Sequence, residues 1–129
     1  MQKGIIGIFD SGLGGLSIAR EVRKILPSED ILYVGDCGNA PYGDQTEAFV
    51  IERVLKISDF FLKHNAKAIV VACNTATAAA IDILRTKVSI PVIGVEPALK
   101  PAVLNTKTGA VGVMATTRTI SSERYQKLL

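Results

Sequence analysis

The chain has 129 residues, enough for one small domain, and 48% are apolar against 21% charged, the balance of a globular rather than a disordered protein. Its net charge of +3 comes from lysines and arginines scattered singly, and aromatics are only 5%, so there is no basic stripe to bind nucleic acid. No apolar run approaches the roughly 20 residues of a membrane span, and no membrane partner is expected.

Gly4 to Phe9 reads as a first buried strand, and it meets Asp10 too soon to serve as a signal peptide. With two cysteines and no secretory signal, the chain is expected to be cytoplasmic with reduced thiols. After Asp10-Ser11-Gly12-Leu13-Gly14-Gly15, helical spacing runs from Leu16 to Leu26 and stops at Pro27. Ile31 to Gly35 is a second strand ending at Asp36, followed by a loop from Cys37 to Gly43. Asp44 with Glu47 has the spacing of a capping box. It predicts a helix to about Lys63 with Val50, Val54, Ile57 and Phe61 on one face, closed by Asn65. Ala68 to Ala72 is a third strand, with a helix behind it to about Thr86. Residues 91–95 form a fourth strand ending at Glu96, and Pro101 predicts a short or kinked helix after it. Ala110 to Ala115 reads as a fifth strand, and Ser121 or Ser122 opens a last helix. Strand and helix alternate throughout, which predicts an α/β fold: a parallel sheet with right-handed crossovers, flanked by helices on both faces.

The third strand ends in Cys73, Asn74 and Thr75, and a good helix former begins at once. A thiol, an amide and a hydroxyl therefore sit where ligands bind in open α/β sheets. The helix N-terminus favours anions and the thiolate of Cys73, which predicts that Cys73 is the more reactive of the two thiols. Taken alone, Cys73 reads more readily as a buried structural cysteine. Other strands also end in polar groups suited to one crevice: Asp10 with Ser11, Asp36, and Thr116 with Thr119. Singly each is a plain cap or turn residue, but together with a thiol they mark a site. The glycine loop fails the dinucleotide pattern at Ser17 and lacks the Gly-Lys-Ser/Thr of a Walker loop, so no cofactor is expected. His64, the single histidine, has no Cys or His at ligand spacing, so no metal is expected either.

Phe9-Asp10-Ser11-Gly12-Leu13-Gly14-Gly15-Leu16, Pro41-Tyr42-Gly43, Ala72-Cys73-Asn74-Thr75-Ala76 and Gly94-Val95-Glu96-Pro97 resemble, in order, the successive signatures of bacterial glutamate racemase. The resemblance implies an aspartate/glutamate racemase-like fold of two similar α/β domains. It implies a cofactor-independent isomerase that interconverts L- and D-glutamate and supplies D-glutamate for peptidoglycan. It implies that Cys73 is one of two catalytic thiols, assisted by Asp10. Asp10, Ser11, Tyr42, Gly43, Asn74 and Thr75 would contact the substrate, with Asp36, Thr116 and Thr119 as further candidates. The chemistry fits: an α-proton is a very weak acid, and its removal needs a close, desolvated base with preorganised donors around the carboxylate.

The family's second thiol lies in a Cys-Thr-His element that this sequence lacks. Its other cysteine, Cys37, reads as a rim residue rather than a substitute base. The expectation is therefore a truncated chain. Residues 1–97 would form a first α/β domain lacking its C-terminal strands, and residues 98–129 would begin a second domain left incomplete. Such a chain would hold one thiol and be inactive alone, with glutamate as its small-molecule partner and a homo-oligomer as a further candidate assembly. The alternatives are a non-enzymatic remnant that binds an acidic amino acid or a partner subunit, and an aspartate racemase-like enzyme.

Overall fold

A computed structural model of the chain describes residues 3–129. The elements are β1 (Ile5–Asp10), α1 (Leu16–Ile25), β2 (Ile31–Gly35), α2 (Glu47–Lys63), β3 (Ala66–Val71), α3 (Asn74–Lys87), β4 (Val92–Gly94), α4 (Leu99–Asn105), α5 (Thr117–Ser121) and α6 (Glu123–Gln126). Two short 3-10 turns, Cys37–Asn39 and Tyr42–Asp44, join β2 to α2. The strands form one parallel sheet in the order β2-β1-β3-β4. None of the helices among the described residues is long and apolar enough to cross a membrane.

Side chains alternate across a strand, so a strand covered on both faces must be apolar at consecutive positions. In β1, Ile6 and Ile8 face one way, where Val70 and the half-buried Ile18, Ala19 and Val22 of α1 meet them. Phe9 faces the other way, into the larger core. That core joins Ile69 and Val71 of β3 to Val50, Val54, Ile57 and Phe61 of α2 and to Ala76, Ala80, Ile81 and Leu84 of α3. The apolar stripe expected on the second helix is thus its buried face.

The ends of α2 show which local signals prevail. Thr46, not Asp44, caps it: the Thr46 hydroxyl accepts from the Phe49 N–H at 3.2 Å. Asp44 is taken up by the preceding 3-10 turn, which moves the helix start towards Glu47. At the other end His64 is the C-cap and Asn65 adopts φ 58°, a left-handed conformation that asparagine tolerates. Pro101 is the third residue of the seven-residue α4, within the first turn, where its missing N–H leaves no bond unmade.

The expected fifth strand is not formed. Residues 110–115 take no regular structure, and Met114 is fully exposed. The apolar alternation there reports a tendency to be covered, but a strand exists only through pairing, and the four-stranded sheet does not include this segment. The last helix is also two: Thr116 caps α5 through the Thr119 N–H at 3.3 Å, and Ser122 caps α6 through the Tyr125 N–H at 3.1 Å. Both helices pack on α3, and α5 also meets the Tyr42–Asp44 turn.

Gly7 lies under the Phe61 ring, and a Cβ built there would fall 2.6 Å from the ring carbons. Gly7→Ala therefore forces α2 off the sheet at a cost of about 1–3 kcal/mol. Urea unfolding followed by circular dichroism should show a lower midpoint with an unchanged slope. A midpoint equal to that of the parent chain would contradict this packing.

Candidate active site

β1 and β3 leave the sheet side by side, with Phe9 opposite Val71 and the Ala72 N–H bonded to the Phe9 carbonyl at 2.8 Å. This brings Asp10, Ser11 and Cys73 to one edge. Cys73 is the N-cap of α3, and its sulfur accepts from the Ala76 N–H at 3.4 Å. Its thiol lies 3.7 Å from the Ser11 hydroxyl, towards which it donates. The Asp10 carboxylate accepts from the Gly15 N–H at 3.0 Å and the Gly12 N–H at 3.3 Å, so it folds the glycine loop around itself.

Cys73 is only 6% exposed. Burial pushes its thiol up from the ordinary value. The Ala76 N–H and the Ser11 hydroxyl oppose that rise, while the Asp10 carboxylate adds to it. The Ala76 N–H at the helix start does pull towards the thiolate as expected, but desolvation outweighs it, and the net shift favours the neutral thiol. This burial works against the expectation that the helix start makes Cys73 the more reactive thiol. Cys37 is the exposed cysteine.

A cleft of about 390 Å3 opens beside the thiol, lined by Asp10, Cys73, Asn74, Thr75, Thr116 and Thr119 among others. Asn74 is exposed at the start of α3. Thr75 is buried, and its hydroxyl lies 2.9 Å from that of Thr116 and 3.4 Å from that of Thr119. A larger hollow of about 680 Å3 between α3 and the C-terminal helices includes neither Cys73 nor Asp10.

Asp36 leaves β2 beside Asp10, with its N–H bonded to the Asp10 carbonyl at 3.0 Å, but its carboxylate is taken up by other groups. The Tyr42 hydroxyl donates to Asp36 at 2.6 Å, Arg53 of α2 donates at 2.8 and 3.0 Å, and Asn39 donates at 2.9 Å. Burial alone would raise the Asp36 carboxyl, but the bonds from Arg53, Tyr42 and Asn39 hold it below the usual range. Tyr42 is 1% exposed, and burial and the Asp36 charge raise its hydroxyl well above the ordinary value. Both side chains are thus committed to fastening the loop after β2. Gly43 lets that loop close on α5, since a Cβ there would stand 2.7 Å from a Thr116 methyl.

Residues 16–129 match the family described as Asp/Glu/hydantoin racemase. The chain belongs to this family. It is 54% identical over 125 residues to the glutamate racemase of Pseudomonas syringae pv. tomato, covering 96% of this chain and 46% of that protein. The glutamate racemase of Methylococcus capsulatus is 52% identical, with 96% and 46% covered. Among solved structures, Escherichia coli glutamate racemase in complex with L-glutamate and the activator UDP-MurNAc-ala superposes with a TM-score of 0.89 at 39% identity, covering 98% of this chain and 48% of that one. Glutamate racemase from Francisella tularensis in complex with D-glutamate gives 0.81 at 42% identity, with 96% and 47% covered. The chain spans about half the length of the curated relatives it matches.

In this racemase-family chain the structure gathers Asp10, Ser11, Cys73, Asn74, Thr75, Thr116 and Thr119 around one edge, and it ties the Asp36 carboxylate to Tyr42 and Arg53. Sequence reasoning missed Arg53 and Tyr33. Arg53 sits one residue before Val54 on the buried stripe of α2, and a charge at that border was the available signal. Tyr33 lies mid-strand, and its hydroxyl donates to the Gly12 carbonyl at 2.9 Å. Among the described residues no group of three His, Cys, Asp or Glu side chains is placed to hold a metal ion.

Limited iodoacetamide labelling at neutral pH should modify Cys37 before Cys73, as read by peptide mapping. Faster labelling of Cys73 would show that its burial is breached in solution. Arg53→Met should lower stability at pH 7 by on the order of 3 kcal/mol, because it leaves a buried carboxylate without its cation. Asp36 has a depressed folded pKa, so its contribution is present above the unfolded value and lost as pH falls through the folded one. The stability gap between parent and variant should thus be widest near neutrality and narrow below about pH 4. A gap of constant size across that range would remove Asp36 as its cause.

Proposed function

We propose that this chain is the Cys73-bearing part of a cytoplasmic, cofactor-independent glutamate racemase that supplies D-glutamate for peptidoglycan. The observation that carries the proposal is the 54% identity to a glutamate racemase along 96% of the chain, together with a buried thiol facing a cleft at the strand ends. Relatives of this chain have been solved with L-glutamate and with D-glutamate, which supports glutamate as the ligand here.

In this reading Cys73 exchanges a proton with the substrate α-carbon. The free thiol is neutral and can deliver a proton as it stands. As a base it must first ionise. The ammonium group of a bound amino acid, close by in a desolvated cleft, favours the thiolate in the way burial alone does not. The Ala76 N–H already donates to the sulfur, and the Ser11 hydroxyl, which accepts from the neutral thiol, can turn to donate once the thiolate forms. Asp10 holds the Gly12–Gly15 turn, whose N–H groups, with Asn74 and Thr75, supply neutral donors near a ligand carboxylate. Thr116 and Thr119 complete the wall of the cleft. Asp36, Tyr42 and Gly43 act indirectly, by holding the loop in place. Inversion needs a second acid–base group on the opposite face of the α-carbon. That group comes from the part of the relatives' length that this chain does not span.

The test is proton exchange in heavy water, followed by NMR of the substrate α-position. The 129-residue chain should exchange the α-proton of D-glutamate slowly with retention, and polarimetry should show no net racemisation. Cys73→Ala should cut the exchange by at least about 100-fold, the scale of a lost general base, while Cys37→Ser should leave it near the parent rate. Rapid racemisation by the chain alone, or exchange indifferent to Cys73→Ala, would overturn the mechanism. Faster exchange of aspartate than of glutamate would reassign the substrate.

A further inference from the structure

The loop that presents Ser11 to the thiol is gripped from two sides. From within, the Asp10 carboxylate binds the N–H groups of Gly12 and Gly15. From the β2 side, the Tyr33 hydroxyl donates to the Gly12 carbonyl at 2.9 Å. The approach is close: a Cβ on Gly15 would stand 3.0 Å from the Tyr33 oxygen, and one on Gly35 would stand 2.7 Å from the Gly12 oxygen. Ser11 lies between these two anchors, one residue from each. With the Gly12 carbonyl free to swing, the Ser11 hydroxyl would lose its fixed position 3.7 Å from the Cys73 sulfur.

We infer that Tyr33 is a positioning residue for the Cys73 thiol, acting through the Gly12 carbonyl and Ser11. The inference rests on the proposed acid–base role of Cys73 and names the second-layer group that sets its hydrogen bond. Tyr33 suits the task because it stays a donor. It is half-buried, and burial, then the Asp10 charge and the thiols of Cys37 and Cys73, push its hydroxyl up to about 12. The groups facing the Cys73 sulfur are the Ala76 N–H of α3, the hydroxyl and backbone N–H of Ser11, and the Asp10 carboxylate of β1. Asp10 is also bonded to Gly12, through the Gly12 N–H, so a route through Asp10 would leave an effect of Tyr33 that survives Ser11→Ala.

The experiment reads the pH midpoint of iodoacetamide alkylation at Cys73, in the 129-residue chain carrying Cys37→Ser. Ser11→Ala should raise that midpoint by about one unit, since it removes a donor to the thiolate. Tyr33→Phe, which removes one oxygen and leaves the ring, should raise it by roughly half a unit. The double variant should match Ser11→Ala alone, because both changes act on one hydrogen bond. A structural effect of Tyr33 unrelated to Ser11 would instead give additive shifts. Additive shifts, or no shift with Tyr33→Phe, would overturn the inference. Glutamate is absent from the measurement, so a failure of glutamate exchange would sink the proposed function without touching this coupling.

Discussion

The pairing of β1 with β3 is the constraint on which the site depends. Two parallel neighbours that run in register must end at the same edge, and here they end with Phe9 opposite Val71. Everything chemically distinctive follows within a few residues of that point: Asp10 and Ser11 on one strand, Cys73 on the other. Residues 62 positions apart in the chain become hydrogen-bonding neighbours because a continuous apolar pair of strands holds them there. β2 then sets Gly35 beside Asp10 and brings Tyr33 against the glycine loop.

Two physical effects compete at the Cys73 sulfur. The start of α3 supplies an N–H and a dipole that favour negative charge. The core of α2, α3 and the sheet supplies a dry surrounding that opposes it, and the Asp10 carboxylate opposes it further. The dry surrounding outweighs the helix start.

Much of this architecture is readable from pattern. The four strands that form are buried on both faces or beside a core, and consecutive apolar residues bounded by polar ones locate them. The segment from Ala110 to Ala115 carries a similar pattern and makes no strand, because apolar periodicity reports a need for cover and says nothing about which neighbour supplies it. Asp44 had the spacing of a cap, but Thr46 takes that role, because Asp44 is absorbed by a 3-10 turn that packs with α5. At the site, polar residues ending buried strands were visible as such. Arg53 and Tyr33 were not, since a helix-surface arginine and a mid-strand tyrosine each have an ordinary local explanation. Their roles arise from partners 17 and 21 residues away.

The hydroxyls of Thr75, Thr116 and Thr119 form a closed triangle, with Thr116 and Thr119 3.0 Å apart. Three hydroxyls carry three protons, and a ring of three contacts consumes all of them if each donates to the next. Such a ring is complete without a guest and offers nothing to a passing oxygen. A molecule that engages any of the three must break a contact in the ring and replace it. With each hydroxyl donating in turn, the triangle joins α3 to the start of α5 by contacts that need no other molecule to complete them.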